Sequence, residues 1–313
     1  MKKDISRFSI SLIITVLLLA TVDFLVGIVA DTVVDKMPNY SGQIAKENYR
    51  LHRLGTDIVI LGSSRGSHHY VTALLSDSID SYKGKPYSIY NASIDGKFAN
   101  SNSCAAEMII SRYSPKLAII DLSESQLVSK DVADIKFSSP FYKKDSIVRK
   151  YLNNIGFEEK MLMKSSLYRY NGKLLRIASS FLKQKEADDG YLPLYGSTMD
   201  TSKYNKPIIK NLEIRTLNPY SEKNFRCVLE KYTSERVPLI IVCSPYFRPD
   251  DNNNKLRGLC DEYDVPFIDM YDLECFNTQP KLFKDASHLN DDGAHAYTKL
   301  FFEKLKPHLE SIK

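Results

Sequence analysis

Five short apolar runs constrain this chain more than anything else in it: Asp57-Ile-Val-Ile-Leu61, Tyr87-Ser-Ile-Tyr-Asn91, Leu117-Ala-Ile-Ile-Asp-Leu122, Pro238-Leu-Ile-Ile-Val-Cys243 and Val265-Pro-Phe-Ile-Asp269. Each has strand length and is rich in Val, Ile and Leu, as strands buried on both faces are. Segments with helical periodicity lie between most of them. Residues 99–113 carry Ala105, Met108, Ile109 and Tyr113 at helical spacing, and residues 221–235 carry Phe225, Val228, Leu229 and Tyr232. Residues 292–305 repeat the pattern with Ala294, Tyr297, Leu300, Phe301 and Leu305. Strand–helix alternation of this kind predicts an α/β fold with a mostly parallel sheet covered on both faces, a three-layer α/β/α domain.

The rhythm breaks once, between the third and fourth runs. Residues 126–216 hold Pro140, a basic helical stretch at 143–153 and the turn-rich Asp188-Asp-Gly-Tyr-Leu-Pro-Leu-Tyr-Gly-Ser197. A gap that long is usually functional or a small subdomain, and it predicts an insert or lid over the carboxyl ends of the strands. The chain has twenty tyrosines and no tryptophan, with many of the tyrosines between residues 140 and 232. That composition suits either a sugar-facing surface or a packed insert.

The N-terminus is of another kind. Lys2, Lys3 and Arg7 precede Ile10-Ser-Leu-Ile-Ile-Thr-Val-Leu-Leu-Leu-Ala20, and apolar character continues through Phe24-Leu-Val-Gly-Ile-Val-Ala30. Roughly twenty apolar residues cross a bilayer core, and leading basic residues keep their end in the cytoplasm. Residues 1–30 therefore read as a signal anchor or as a signal peptide cut after Ala30, and both readings place the rest outside the cytoplasm, in the periplasm or at the cell surface. Asp23 is costly at such depth unless it lies near the outer interface or has a partner. Residues 31–54 read as a stalk and leading helix, and 55–313 as the main domain with its insert at about 126–216. The net charge of +5 comes without a dense Lys/Arg block, which argues against nucleic-acid binding. The five cysteines (Cys104, Cys227, Cys243, Cys260, Cys275) show no metal spacing. Cys227 and Cys243 read as buried small hydrophobes, with one or two disulfides open in an oxidising compartment.

Chemistry in an open parallel sheet gathers beyond the strands' carboxyl ends. The first run leads there into Gly62-Ser63-Ser64-Arg65-Gly66-Ser67, the second into Asn91-Ala-Ser-Ile-Asp95-Gly96, and the third into Ser123-Glu124-Ser125. A serine at the turn into a helix projects its hydroxyl into the cleft, but it is inert without a positioned base. Asp285 and His288, three residues apart ahead of the last helix, can supply that base, or can be a polar loop that caps the helix. Gly62 and Gly96 allow close approach of backbone N–H groups to a reacting carbonyl. His68 and His69 read as cleft-rim or surface residues, and Arg65 as a ligand for an anionic group of the substrate.

In the order Ser, Gly, Asp-x-x-His, each at a strand end, these blocks resemble the SGNH (GDSL-type) esterase and acyltransferase superfamily over about residues 55–125 and 236–305. The resemblance implies a flavodoxin-like sheet and a nucleophile at Ser64, with Ser63 where the family has aspartate, as in membrane-anchored relatives of cell-envelope modification. It implies an oxyanion glycine at Gly96, substrate contact from Asn91 at the head of the same block, and a relay from Asp285 and His288, followed by Leu289-Asn290. Neither a metal nor an organic cofactor is implied. The family's Gly-x-Asn-Asp block is missing, since the chain reads Ser123-Glu124-Ser125-Gln126 at that place. Ser125, Gln126 or a group from the insert then has to replace the asparagine as donor, and Ser63 is an alternative nucleophile. The expected activity is serine-dependent hydrolysis or transfer of acyl esters, such as O-acetyl groups, on a cell-surface glycan or another acylated molecule. The alternative is a non-catalytic membrane-anchored module that binds glycan or scaffolds polysaccharide assembly.

Overall fold

The structure, a computed structural model, describes residues 2–37, 42–129, 132–182, 189–200, 215–310 and 312, with the backbone only for 2–6. The basic flank at Lys2 and Lys3 and insert residues 130–131, 183–188 and 201–214 thus lie outside the described side chains. In chain order, α1 (Lys2–Asp35) and α2 (Gln43–His52) precede β1 (Ile58–Gly62), α3 (Ser64–His69), α4 (Thr72–Lys83), β2 (Ile89–Asn91), α5 (Ala99–Arg112) and β3 (Leu117–Asp121). Six helices follow: α6 (Glu124–Val128), α7 (Ala133–Lys136), α8 (Ser146–Asn154), α9 (Phe157–Leu162), α10 (Ser166–Tyr170) and α11 (Leu174–Ser180). The chain then returns through α12 (Pro219–Glu235) to β4 (Leu239–Cys243), α13 (Asn254–Glu262), β5 (Phe267–Asp269) and α14 (Glu274–Asn277). A hairpin of β6 (Phe283–Asp285) and β7 (His288–Leu289) leads into α15 (Asp291–Leu309).

The main sheet has the order β2-β1-β3-β4-β5, and every pairing in it is parallel. This is the expected α/β fold with the flavodoxin-like strand order. Burial explains the continuous apolar runs. Along β1, Ile58 and Ile60 join one core, while Val59 and Leu61 join another on the opposite face. β3 and β4 alternate in the same way, with Ile119 and Ile240 on the first side and Ile120 and Ile241 on the second. Helices α4 and α15 cover one face through Leu75, Ile79, Phe301 and Leu305; α2, α5 and α12 cover the other through Leu51, Met108 and Leu229. The point at which strand order reverses lies beside β1, and Ser64 follows directly from that strand.

The organisation adds two particulars. Residues 31–35 continue α1 rather than forming a stalk, and α2 is the leading helix: Ile44, Ala45 and Leu51 lie in the core, and a buried Glu47–Arg50 pair at 2.8 Å is completed by Ser101 and Asn102. The insert is not a single lid either. Its helices α7–α11 widen one helical layer, with Ile135, Val148, Tyr151, Leu152, Tyr170 and Ile177 in the core shared with α5. Their apolar stripes need partners, which α5 provides for α7 and α8, α1 for α10, and α2 and α1 for α11. Among the described residues of the insert, 189–198 run over the strand ends, bonding Asn91, Ser67 and Lys284. Gly190 makes that crossing possible: its φ is +81°, and a Cβ there would lie 2.1 Å from the Asn91 carbonyl oxygen.

Helix α1 is long and apolar enough over Arg7–Asp35 to cross a membrane. Asp23 has the partner its position calls for. Its carboxylate accepts the Ser165 hydroxyl at 2.6 Å and the N–H groups of Ser166 and Leu167 at 3.1 and 2.8 Å. It thereby supplies the acceptor that the first turn of α10 lacks. Gly27 lets α10 close in, since a Cβ there would meet Ser166 Oγ at 2.4 Å.

Candidate active site

Ser64 opens α3 just beyond β1, and the β6–β7 hairpin brings Asp285 and His288 to it. Asp285 and His288 face each other across the turn of that hairpin. Asp285 Oδ1 accepts the Ser287 and His288 N–H groups at 2.8 and 3.1 Å, which shapes the turn, and both carboxylate oxygens meet His288 Nδ1 at 2.9 and 3.0 Å. Burial opposes the charge on Asp285, but these hydrogen bonds, that of His288 foremost, hold its carboxyl below the ordinary carboxylate range. An acceptor at Nδ1 places the imidazole proton there and leaves the Nε2 lone pair free. Nε2 lies 2.7 Å from Ser64 Oγ, in position to accept the hydroxyl proton. Neither Asp285 nor His288 caps the last helix. Asn290 does so, by accepting the Gly293 N–H at 3.0 Å.

The second block lies against the nucleophile turn. A Cβ on Gly66 would meet Ser93 Oγ at 2.4 Å, and one on Gly62 would crowd Asp121, Gly66 and Ser93 at 3.1–3.2 Å. Gly62 and Gly66 therefore serve the close packing of β1, α3 and the Ser93 loop. Gly96 has a φ of +71° in the turn closed by Lys97 N–H to Ile94 O at 3.0 Å, a backbone that glycine takes without strain. No described group accepts its N–H. Asn91 stands differently from the expectation of substrate contact. Its amide donates to Gly66 O at 2.8 Å and accepts from Ser93 N–H at 3.1 Å, so it ties the two loops together.

Arg65 is also placed differently from an anion ligand. Its guanidinium is 6% exposed, bonds Ser244 O at 3.3 Å and lies over the Tyr271 ring at 5.3 Å. It offsets the charge of Asp121, whose carboxyl burial pushes up, and which accepts the Tyr70 hydroxyl at 3.0 Å. Ser63 Oγ is 3.4 Å from Gln126 Nε2 and has no bond to His288 among the described residues, which disfavours it as nucleophile. Ser125 Oγ pairs with Ser123 Oγ at 2.9 Å. In the block that lacks the asparagine, Gln126 is thus the residue whose amide reaches the nucleophile turn. Glu124 accepts the Lys255 N–H at 2.8 Å, ahead of the first full turn of α13.

The two adjacent histidines, expected at the cleft rim or surface, are both buried. His69 is fully buried: its Nε2 accepts the Leu289 N–H at 2.9 Å, so its Nδ1 carries the proton and donates to Ser244 Oγ at 3.0 Å. Burial first, then the neighbouring Arg65, His288 and His68, lowers its pKa well below 6.5 and keeps it neutral. His68 is also mostly buried, with acceptors at both nitrogens, Leu192 O at 2.6 Å from Nδ1 and Asp95 Oδ2 at 3.4 Å from Nε2. Two acceptors favour the doubly protonated ring, and its pKa is raised although burial works against the charge. Its ring lies edge-on to that of His288, at 5.7 Å between centroids. The i, i+4 spacing on α3 was the available signal, since Ser64 and His68 share one face and Arg65 and His69 the next. All five cysteines are free thiols, and Cys227, read as buried, is exposed.

No family model matches the chain, and no curated protein matches it. Among solved structures it is similar to a provisionally assigned acylhydrolase from Bacteroides fragilis NCTC 9343, at 12% identity over 84% of this chain and 95% of that one, with a TM-score of 0.35. It is similar to a mutant of the esterase AlinE4, at 12% identity over 82% and 97% of the two chains, TM-score 0.35. A GDSL-like lipase from Bacteroides thetaiotaomicron VPI-5482 matches at 12% identity over 79% and 87%, TM-score 0.32. Likeness this distant leaves the chemistry to this chain's own side chains.

Proposed function

We propose that this chain is a membrane-anchored SGNH-type serine esterase or acyltransferase, with its main domain outside the cytoplasm. The observation that carries the reading is the 2.7 Å contact between Ser64 Oγ and a His288 Nε2 whose opposite nitrogen is held by Asp285. In the reaction, His288 takes the Ser64 proton as Oγ attacks the ester carbonyl. The N–H groups of Ser64 and Gly96 and the Gln126 amide receive the developing oxyanion, and Asp285 stabilises the imidazolium. Collapse expels the alcohol, which takes the proton from His288 and leaves Ser64 acylated. Water or a sugar hydroxyl, deprotonated by His288, then takes the acyl group and frees the serine. An extracytoplasmic position favours acylated surface glycans as substrates, with O-acetyl groups the simplest case.

The test is labelling of the detergent-solubilised full chain with a fluorophosphonate probe, alongside p-nitrophenyl acetate turnover. Labelling and turnover are expected to vanish in Ser64→Ala and His288→Ala. A Ser64→Ala protein that still labels would move the nucleophile elsewhere, and an unreactive wild type would favour the binding-module alternative. Acyl release with and without a sugar acceptor separates hydrolysis from transfer.

A further inference from the structure

Helix α11 presents two unlike surfaces. Towards α1 it turns Leu174, Ile177 and Ala178, which with Leu25, Val29 and Val33 line an entirely apolar groove of about 420 Å³. Beside that groove, Lys173 and Arg176 join Lys97, Lys136 and Gly96 around a second cavity of about 580 Å³. The two meet along one short helix, with Lys173 next to Leu174 and Arg176 next to Ile177.

The second cavity is short of negative charge. Four cations face it, Lys97, Lys136, Lys173 and Arg176, against the carboxylates of Asp95 and Asp134. Asp95 is engaged by His68, and buried Asp134 accepts the Ser101 N–H at 2.9 Å. Lys136 is paired with Glu159 at 2.5 Å. The Lys97 ammonium donates to the Asp134 carbonyl at 3.2 Å and lies over the Phe137 ring, with the Glu47 and Asp134 carboxylates in electrostatic reach. Arg176 gives one bond to Gln43, and the Lys173 ammonium makes no hydrogen bond or ion pair among the described residues, with Glu159 acting on it from a distance. Burial pulls Lys97 down to about 7 and Lys173 to about 8, outweighing the opposite pull of Glu47 and Asp134 on the first and of Glu159 on the second.

The surroundings supply the other half of the match. Around the place where α10 clasps α1, the insert exposes Phe157 (80%), Leu175 (85%) and Leu182 (87%), together with Leu162, Leu167 and Phe181. Large apolar side chains grouped beside a membrane-length helix suit the headgroup level of a bilayer. We propose that α11 is the floor of a binding site for an anionic phospholipid-type amphiphile, with its phosphate held by Lys173, Arg176 and Lys97 and its hydrocarbon chain lying in the α1–α11 groove. The ligand comes from the membrane rather than from solution, because the groove offers a soluble phosphate nothing. Gly96 and Asp95 border the same cavity, so the site would bring a lipid-borne substrate to Ser64. That last step rests on the proposed esterase reading; the binding does not.

The experiment uses the full chain in phosphatidylcholine nanodiscs doped with a diazirine-tailed phosphatidylglycerol or, in parallel, a diazirine-tailed phosphatidylcholine. Photocrosslinks are expected on α1 and α11, about tenfold or more in favour of phosphatidylglycerol. Lys173→Gln with Arg176→Gln should abolish that preference, and Ala178→Trp, which fills the groove from an exposed position, should remove crosslinks to both lipids. Equal crosslinking of the two lipids by the wild type overturns the proposal, as does competition by glycerol phosphate or inorganic phosphate as strong as by lipid. Ser64→Ala should keep the full crosslinking pattern. Crosslinks without any fluorophosphonate labelling would sink the esterase reading and leave this one standing; labelling with no headgroup preference would do the reverse.

Discussion

His69 Nε2 accepts the backbone N–H of Leu289 at 2.9 Å, which fastens the helix that begins at Ser64 to the strand that carries His288. Through Nδ1 the same ring reaches Ser244 at the end of β4. Segments more than two hundred residues apart are thus held in register by one neutral imidazole under the Ser64–His288 pair. Replacing His69 by Phe leaves the buried Leu289 N–H without an acceptor, while the Ser244 hydroxyl keeps Asp121, at a cost of about 1–3 kcal/mol. Urea unfolding should show that loss, and fluorophosphonate labelling of Ser64 should slow by about tenfold or more. An H69F protein that labels at the wild-type rate would show that the fastening does not position the serine.

Asp285 fixes which nitrogen of His288 carries the proton. Asp285→Asn can keep the bonds from Ser287 and His288 N–H while presenting an amide N–H to Nδ1, and so favours the wrong tautomer. Turnover of p-nitrophenyl acetate should fall by about 10⁴, with the fold and KM little changed. A loss under tenfold would mean that the carboxylate is not the orienting group.

Gln126 is one residue beyond the place of the missing asparagine, and its amide reaches the turn after β1 through Ser63 Oγ at 3.4 Å. If its amide serves the oxyanion, Gln126→Ala should lower kcat by about 10²–10³ and leave KM nearly unchanged. An unchanged kcat would remove Gln126 from the site and leave the two backbone donors.

Asp23 ties the membrane-length helix to the insert through three hydrogen bonds at the start of α10. Asp23→Ala should cost about 1–2 kcal/mol, the usual effect of losing a helix-cap acceptor. In detergent, the α9–α11 region should become the first site of proteolytic cleavage. Cleavage as slow as in the wild type would show that α1 is held by its apolar contacts alone.

The His68–Asp95 pair makes stability depend on pH in a definite direction. Its raised folded pKa means that the charged ring contributes fully below the unfolded value of 6.5, and that the contribution is lost as pH rises through the folded value. Asp95, lowered in the fold mainly by His68 against the effect of burial, contributes above its ordinary 3.8 and fails as pH falls through its folded value. Because the Asp95 carboxylate is 40% exposed, the pair is worth at most about 0.5–1 kcal/mol. The stability difference between wild type and Asp95→Asn should be largest between those limits and shrink in mild alkali. A difference that stays constant across this range would mean that His68 is not charged.

Much of this molecule is written in local pattern. The five apolar runs determine a doubly covered parallel sheet, because a strand buried on both faces has no polar residues to place. Asp285-x-x-His288 determines its own pairing, since a hairpin turn sets the first residue opposite the fourth. What local pattern cannot convey is the rotation of a helix about its axis, or the element that comes to lie beside it. Only the tertiary structure turned Arg65 and His69 towards the end of β4 and set His68 beside Asp95. It also gave Asp23 the amides of α10, and laid the insert's helices against α1, α2 and α5. Each of those outcomes depends on a partner distant in sequence, chosen by the need to leave no buried charge or N–H unanswered.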